Sequence, residues 1–117
     1  MLLNATPIAQ AAPTAADATM VATDGAVSVY LTINNPTMYD IYVMSAASEA
    51  AGKVELYSGD KPVEHMTVAA YGSLTLKTGG MSLRLSDLKR SLKAGENVAI
   101  TLVTDGGIQI VATAVVK

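Results

Sequence analysis

Apolar and polar residues alternate in several short stretches of the chain. In residues 26–34, apolar side chains share one face and polar or aromatic side chains the other: Val27, Val29, Leu31 and Ile33 against Ser28, Tyr30 and Thr32. A period of two residues is typical of a β-strand with one buried face. Further strands are predicted at residues 39–45, 53–58, 63–70, 73–77, 81–85, 98–102 and 108–116, with a weaker candidate at residues 18–22.

Glycine pairs mark two of the turns between these strands. Gly79-Gly80 and Asp105-Gly106-Gly107 each separate two apolar runs, and glycine supplies the positive φ that a tight reversal needs. Pro36 follows Asn34 and Asn35 and cannot donate to a strand ladder. Residues 34–38 are therefore predicted to close a hairpin between the strands on either side.

The segments between the strands are short. Residues 46–51 have room for one helical turn, and residues 86–90 are interpreted as a single-turn segment. About seven to nine short strands with frequent turns and no convincing helix predict an all-β domain, an antiparallel sandwich or barrel.

The first sixteen residues differ from the rest in composition. Residues 1–16 are rich in Ala, Thr and Pro and carry no charged side chain. They lack the basic start and full apolar stretch of a secretory signal, so two interpretations stay open: the remnant of an export signal, or a disordered lead-in. Residues 6–10 could form an additional edge strand. The folded domain is predicted to span residues 17–117.

Composition excludes several classes of function. The chain has no Cys, which removes disulfides, thiolate catalysis and Cys-based zinc or iron–sulfur sites. The net charge of −2 gives no reason to expect nucleic-acid binding. No apolar run approaches the roughly 20 residues that a membrane-spanning helix needs.

Catalysis is not predicted. The single histidine, His65, lies near Asp60 and Glu64 in sequence, but no nucleophile elbow or oxyanion loop accompanies them. The two Gly-Gly turns do not lead into helices, so they lack the geometry of phosphate-binding loops.

Three blocks of sequence resemble the periplasmic copper chaperones of the PCu(A)C (PCuAC) type. The blocks are Val29–Pro36 (VYLTINNP), Ala51–Tyr57 (AGKVELY) and Gly72–Gly95, the last continued by Asn97–Leu102. The resemblance implies a cupredoxin-like β-sandwich and a periplasmic or otherwise exported protein. It also implies Cu(I) as cofactor and a protein partner in the cell envelope, in copper-oxidase assembly.

The resemblance also indicates which residues stand at the family's copper ligands. The family binds Cu(I) with a His after the Val-Glu-Leu block, a Met further along, and a His-x-Met pair. Here Tyr57 stands at the first His, and Ser82 and Arg84 stand at the pair. Met66 is the nearest candidate for the remaining Met. A phenol, a hydroxyl and a guanidinium thus replace soft imidazole and thioether ligands.

Two functional hypotheses follow. A third, a small hydrolase built from His65, Asp60 or Glu64 and a serine, lacks the nucleophile elbow and oxyanion loop named above. In the first, the chain descends from a copper carrier and binds Cu(I) weakly through His65, Met66 and Met81, with Met44 as a possible helper. In the second, a metal-free module presents Tyr57, Ser82 and Arg84 to an envelope protein. The ordinary alternative for His65 and Met66 is an exposed imidazole and a core thioether. The tyrosines are predicted either to form an aromatic surface patch or, as is commoner, to cover separate edges of the core with their hydroxyls in water. They are Tyr30, Tyr39, Tyr42, Tyr57 and Tyr71.

Overall fold

The structure is a computed structural model that describes residues 12–23 and 26–117. Ten strands and no helix occur in this part of the chain. The strands are β1 (Thr14–Thr23), β2 (Ala26–Asn34), β3 (Ile41–Ser48), β4 (Ala51–Ser58), β5 (Lys61–Val63), β6 (Met66–Val68), β7 (Ser73–Thr75), β8 (Met81–Leu88), β9 (Asn97–Thr104) and β10 (Gln109–Val116). Accordingly, no helix long and apolar enough to cross a membrane is found among these residues.

The strands form one continuous sheet that closes around a single apolar core. Their order is β5-β4-β8-β2-β1-β10-β9-β3-β6, and β7 pairs with β2 beside β8. Only the β1–β10 pair is parallel among the pairings of the described strands, with Thr19 opposite Val115 and Met20 opposite Val116. This pair joins the β5-β4-β8-β2-β1 half to the β10-β9-β3-β6 half, which gives the two layers of a sandwich.

Alternation along the strands determines which side chains enter the core. In β10 exposed and buried residues alternate without a break, and in β9 nearly so. Both halves contribute fully buried side chains, including Met20, Val29, Leu31, Leu83 and Leu85 from one and Met66, Val98, Ile100 and Leu102 from the other. Each such side chain stabilises the fold by about 1.5–3 kcal/mol relative to an exposed position.

The hairpin predicted at the last glycine turn is confirmed. β9 and β10 pair antiparallel from Val103 opposite Gln109 to Asn97 opposite Val115. Gly107 has a φ of 81° and donates its N–H to the carbonyl oxygen of Thr104. A residue with a Cβ is strained at this φ, which is why the turn uses glycine.

The hairpin predicted between β2 and β3 is wrong. β2 pairs with β1, β7 and β8, whereas β3 pairs with β6 and β9 in the other half of the sandwich. Residues 35–40 are therefore a crossover between layers. Asn35, a buried residue of this crossover, holds it in place through side-chain hydrogen bonds.

Asn35 is 1% exposed and satisfies both ends of its side-chain amide. Its Nδ2 donates to three carbonyl oxygens, those of Tyr39 at 2.7 Å and of Val68 and Ala69 at 3.1 Å. Its Oδ1 accepts from the backbone N–H and the hydroxyl of Thr37, at 3.0 and 2.7 Å. The crossover is thereby tied to the segment after β6, which a local turn signal does not reveal.

Two other local predictions differ from the structure. No helical turn forms at residues 46–51, because β3 continues to Ser48 and β4 already begins at Ala51. Likewise, residues 86–88 extend β8, and Ser86 pairs with Lys53 on β4. In both cases pairing with neighbouring strands overrides the weak local preference of a short segment.

At its start, the folded region reaches further back than predicted. β1 begins at Thr14, opposite Asn34 of β2, and so includes three residues before the predicted boundary at residue 17. The rest of the predicted tail, including the optional edge strand at residues 6–10, lies outside the described residues.

Candidate functional site

The structure brings together the three residues that the resemblance predicts at the family's ligand positions. Tyr57 of β4 lies directly opposite Ser82 of β8. Arg84, two residues further along β8, lies opposite Glu55 on one side and Ser28 of β2 on the other. Because opposite and alternate residues of antiparallel strands point to the same face, all five share the face turned away from the core.

Arg84 stacks on Tyr57. Its guanidinium carbon lies 4.0 Å from the centroid of the Tyr57 ring, a cation–π contact. Glu55 lies across from Arg84, but its carboxylate is 3.7 Å from the Lys53 Nζ. None of the ion pairs found among the described residues includes Arg84. Its Nε is buried and has no hydrogen-bond partner.

Two turns close over this face and create a pocket. Gly59, in the turn between β4 and β5, donates its N–H to the carbonyl oxygen of Gly80 at 3.0 Å. Gly79, with a φ of 84°, allows the chain to reverse after Lys77, whose carbonyl accepts from the Gly80 N–H. The predicted turn at Gly79-Gly80 is thus confirmed.

This turn does not close a hairpin, because the strands on either side of it both pair with β2. β7 lies along β2 at Thr32–Asn34, and β8 lies along the same strand at Val27–Val29. Leu76 donates its N–H to Leu31 between them. Residues 77–80 therefore connect two strands that lie along β2, and Lys77, Gly79 and Gly80 line the pocket.

The pocket has a volume of about 300 Å³ and a polar, charged lining. Arg84 and Lys77 contribute positive charge, and Asp60 contributes the negative charge. Ser28 and Ser82 are buried beside Arg84, 7% and 6% exposed. The other lining residues are Tyr30, Gly59, Gly79 and Gly80. Sequence reasoning did not place Ser28, Lys77 and Asp60 in a pocket with Arg84. The register of β2 and β8 brings Ser28 there, and the two turns bring Lys77 and Asp60.

The proposed copper ligands occupy three different settings. Met66 of β6 is 1% exposed and belongs to the core. His65, the preceding residue, is exposed, and its ring makes an edge-on contact with Tyr42 at a centroid distance of 5.7 Å. Met81 is partly buried against the core at the start of β8, opposite Ser58. A copper site made of these three residues stays a prediction.

The potential helper, Met44, lies on β3 and is 46% exposed. It follows Val43, which pairs with Met66, so Met44 is next in register to His65. Among the described residues, no group of three or more His, Cys, Asp or Glu side chains is arranged to hold a metal ion. With no Cys and a single His in the sequence, the other soft ligands that the chain offers are methionine thioethers.

The tyrosines lie in several places rather than in one patch. Tyr30 lines the pocket and Tyr57 stacks on Arg84. Tyr42 contacts His65 on the other half of the sandwich. Tyr39 and Tyr71 are each 72% exposed, and their loops are joined by the hydrogen bond from the Tyr71 N–H to Thr37.

Family membership follows from a match that spans nearly the whole chain. Residues 5–116 match the family described as "Putative lipoprotein LpqE-like". The chain belongs to the LpqE-like family. No curated protein matches it.

The fold of this LpqE-like chain is similar to that of solved copper-related domains. The copper-bound PCuAC domain from PmoF2 superposes with a TM-score of 0.78 at 15% identity, over 88% of this chain and 90% of that domain. The apo PCuAC domain from PmoF1 gives 0.78 at 21% identity, over 88% and 91%. The Cu(I) form of DR1885 from Deinococcus radiodurans gives 0.73 at 32% identity, over 90% and 76%.

These similarities confirm the predicted all-β, cupredoxin-like sandwich and the resemblance to PCuAC domains. The structure has ten strands in its described part, where about seven to nine were expected. The extra strand is β5 (Lys61–Val63), whereas β6 and β7 lie within the predicted strands at residues 63–70 and 73–77; each of the three has only three residues.

Proposed function

We propose that this chain is an exported, non-catalytic PCuAC-type protein whose inherited copper site has lost its affinity, so that at most weak Cu(I) binding persists. The contact of Arg84 with Tyr57 carries this proposal. The two residues stand at positions where the family resemblance places a Met and a His.

The chemistry of the replacements supports the loss of affinity. Cu(I) prefers soft thioether and imidazole ligands, and neither a phenol nor a serine hydroxyl is soft. The arginine side chain stays protonated in proteins, so its charge repels a cation at this position. Because the guanidinium stacks on Tyr57, the repelling charge is held where the ion would lie.

Residual Cu(I) binding is assigned to His65, Met66 and Met81. His65 is the accessible member, whereas the Met66 thioether would have to leave the core to reach a surface ion. Withdrawing such a side chain costs on the order of 2–5 kcal/mol, the range for truncating a core methionine. Binding through these residues is therefore expected to be weak.

A Cu(I) titration against a competing chelator tests the proposal. The wild-type chain should compete poorly, and the triple variant Tyr57→His/Ser82→His/Arg84→Met should bind at least about tenfold more tightly because it restores soft ligands. His65→Ala should remove the residual binding of the wild-type chain. Wild-type affinity equal to that of the triple variant would contradict the proposal.

A second candidate is a metal-free module that presents Tyr57, Ser82 and Arg84 to an envelope protein. The observation in its favour is the unpaired, partly buried Arg84 in a polar pocket on this face. By resemblance, the partner would act in copper-oxidase assembly. Cross-linking from Lys77 at the pocket in intact cells, compared with Lys117 at the far end of the chain, tests for such a partner.

Export is part of the same proposal. The family description, a lipoprotein, and the fold of PCuAC domains support a location outside the cytoplasm. Fractionation of cells that express the natural gene should place the protein in the envelope, and recovery in the cytoplasm alone would refute this part.

A further inference from the structure

We propose that the pocket around Arg84 binds the carboxylate group of a small organic acid. The inference rests on the pocket's own geometry and charge. It does not depend on whether Cu(I) binds elsewhere on the protein.

Arg84 is positioned for recognition of an anion. Tyr57 covers one face of the guanidinium and fixes its plane, so less rotamer freedom is lost when a ligand binds. The Nε is buried without a hydrogen-bond partner, and Arg84 belongs to no ion pair among residues 12–23 and 26–117. A partly buried cation without a counter-ion is costly, and a bound anion would offset that cost.

The nearest acid on the strands does not supply the counter-ion. Glu55 lies opposite Arg84, but its carboxylate is directed to Lys53. Asp60 lines the same pocket without an ion pair to Arg84. Arg84 therefore lines the pocket without an ion pair to either of these acids.

The charges and size of the pocket favour a monoanion with a carboxylate. A guanidinium matches the planar carboxylate with two parallel hydrogen bonds. Arg84 and Lys77 against Asp60 leave one net positive charge in the lining, which suits one negative charge better than the two of phosphate. A volume of about 300 Å³ lies at the small end of ligand pockets. The buried Ser28 and Ser82 hydroxyls offer further hydrogen bonds to a hydroxy acid.

The test is a titration of the full chain with sodium acetate and sodium lactate at constant ionic strength, followed through the NMR signal of the Arg84 Nε–H. Saturable shifts are expected with both acids. Arg84→Gln should weaken binding by about tenfold or more, measured by backbone shifts of Ser82 and Gly80, since a hydrogen-bonded charge pair is lost.

Arg90→Gln is the matched control, because Arg90 is exposed, lies outside the pocket and carries the same charge. It should leave the affinity unchanged. Lys77→Gln changes an exposed residue of the pocket lining and should weaken binding severalfold while the fold is kept. This second variant keeps the test valid if Arg84→Gln proves unstable.

Three results would overturn the proposal. The first is the lack of a saturable shift with either acid, and the second is equal binding by the wild-type and Arg84→Gln chains. The third is tighter binding of inorganic phosphate than of acetate or lactate, which would make the pocket a phosphate site. None of these results bears on Cu(I) affinity, which is measured separately.

Discussion

The guanidinium of Arg84 lies over the ring of Tyr57, with 4.0 Å between the guanidinium carbon and the ring centroid. The two residues are diagonal neighbours on β8 and β4, because Tyr57 pairs with Ser82. Diagonal pairs are within reach of aromatic and long side chains. The two residues that the resemblance predicts at ligand positions thus contact each other, the ring of Tyr57 against the cation of Arg84.

Loss of the contact between Arg84 and Tyr57 should lower stability, and the effects of substituting the two residues should not be additive. Tyr57→Leu is expected to reduce the free energy of unfolding by about 0.5–2 kcal/mol beyond its loss of buried area, the range of a cation–π contact. In a double-mutant cycle with Arg84→Met, urea unfolding should show a coupling energy of the same size.

Tyr57→Phe serves as the control because it keeps the ring. It should retain most of the coupling, since the attraction comes from the aromatic face rather than the hydroxyl. Additive effects of Tyr57→Leu and Arg84→Met would show that the contact does not contribute to stability.

The strands that alternate regularly could be predicted from sequence. β2, β9 and β10 each carry buried residues at every second position, so the pattern alone identifies them. The glycines at the turns were also informative, because positive φ is required at Gly79 and Gly107.

Apart from the β9–β10 hairpin, strand pairing could not be predicted in the same way. The chain leaves β2 for the other half of the sandwich at Asn35, whose side chain bonds to Val68 and Ala69 more than thirty residues away, a contact that no local pattern reveals. The pocket has the same origin. Ser28 and Arg84 become neighbours only through the register of β2 and β8, so the lining of the pocket could not be predicted from the sequence, although the resemblance predicted which residues stand at ligand positions.

Asn35 should be among the most sensitive polar positions in the chain. Asn35→Ala removes the donor to three carbonyl oxygens. One of them, that of Val68, accepts this hydrogen bond in a buried position and would lose it. Each unsatisfied buried group costs about 1–3 kcal/mol, so we expect a loss of roughly 2–4 kcal/mol.

Chemical denaturation of Asn35→Ala measures this loss. Asn34→Ala is the matched control, since Asn34 is exposed and should change stability by less than about 0.5 kcal/mol. Similar small effects of both variants would mean that the crossover is not held by Asn35.

Gly79 should tolerate substitution poorly although space is free around it. An added Cβ meets no atom within 4 Å, but the φ of 84° is unfavourable for any residue with a Cβ. Gly79→Ala should therefore cost about 1–2 kcal/mol of unfolding free energy. Gly106→Ala, which also meets no atom within 4 Å and has no positive φ, should cost less in the same thermal or urea measurement. Equal losses would point to a cause other than backbone strain.

Glu96 should make stability depend on pH in the acid range. Hydrogen bonds from the Lys93 backbone N–H, at 3.1 Å, and from the Arg90 guanidinium lower the pKa of Glu96 below its usual value of 4.5. Because the folded-state pKa is the lower one, the unfolded chain binds the proton first as pH falls. The stabilisation is complete above pH 4.5 and is lost as pH drops through the lowered pKa.

The comparison of wild-type and Glu96→Gln chains at pH 7 and pH 3 isolates this contribution. The difference between their urea midpoints should be smaller at pH 3 than at pH 7, because the stabilisation from the ionised carboxylate starts to be lost once pH falls below the usual value of 4.5. Glu64→Gln is a suitable control, since Glu64 is exposed and lies outside the ion pairs found in the described part of the chain. A gap between wild-type and Glu96→Gln midpoints that is as wide at pH 3 as at pH 7 would show that the lost contact is not the ionised carboxylate, since only that form attracts Arg90.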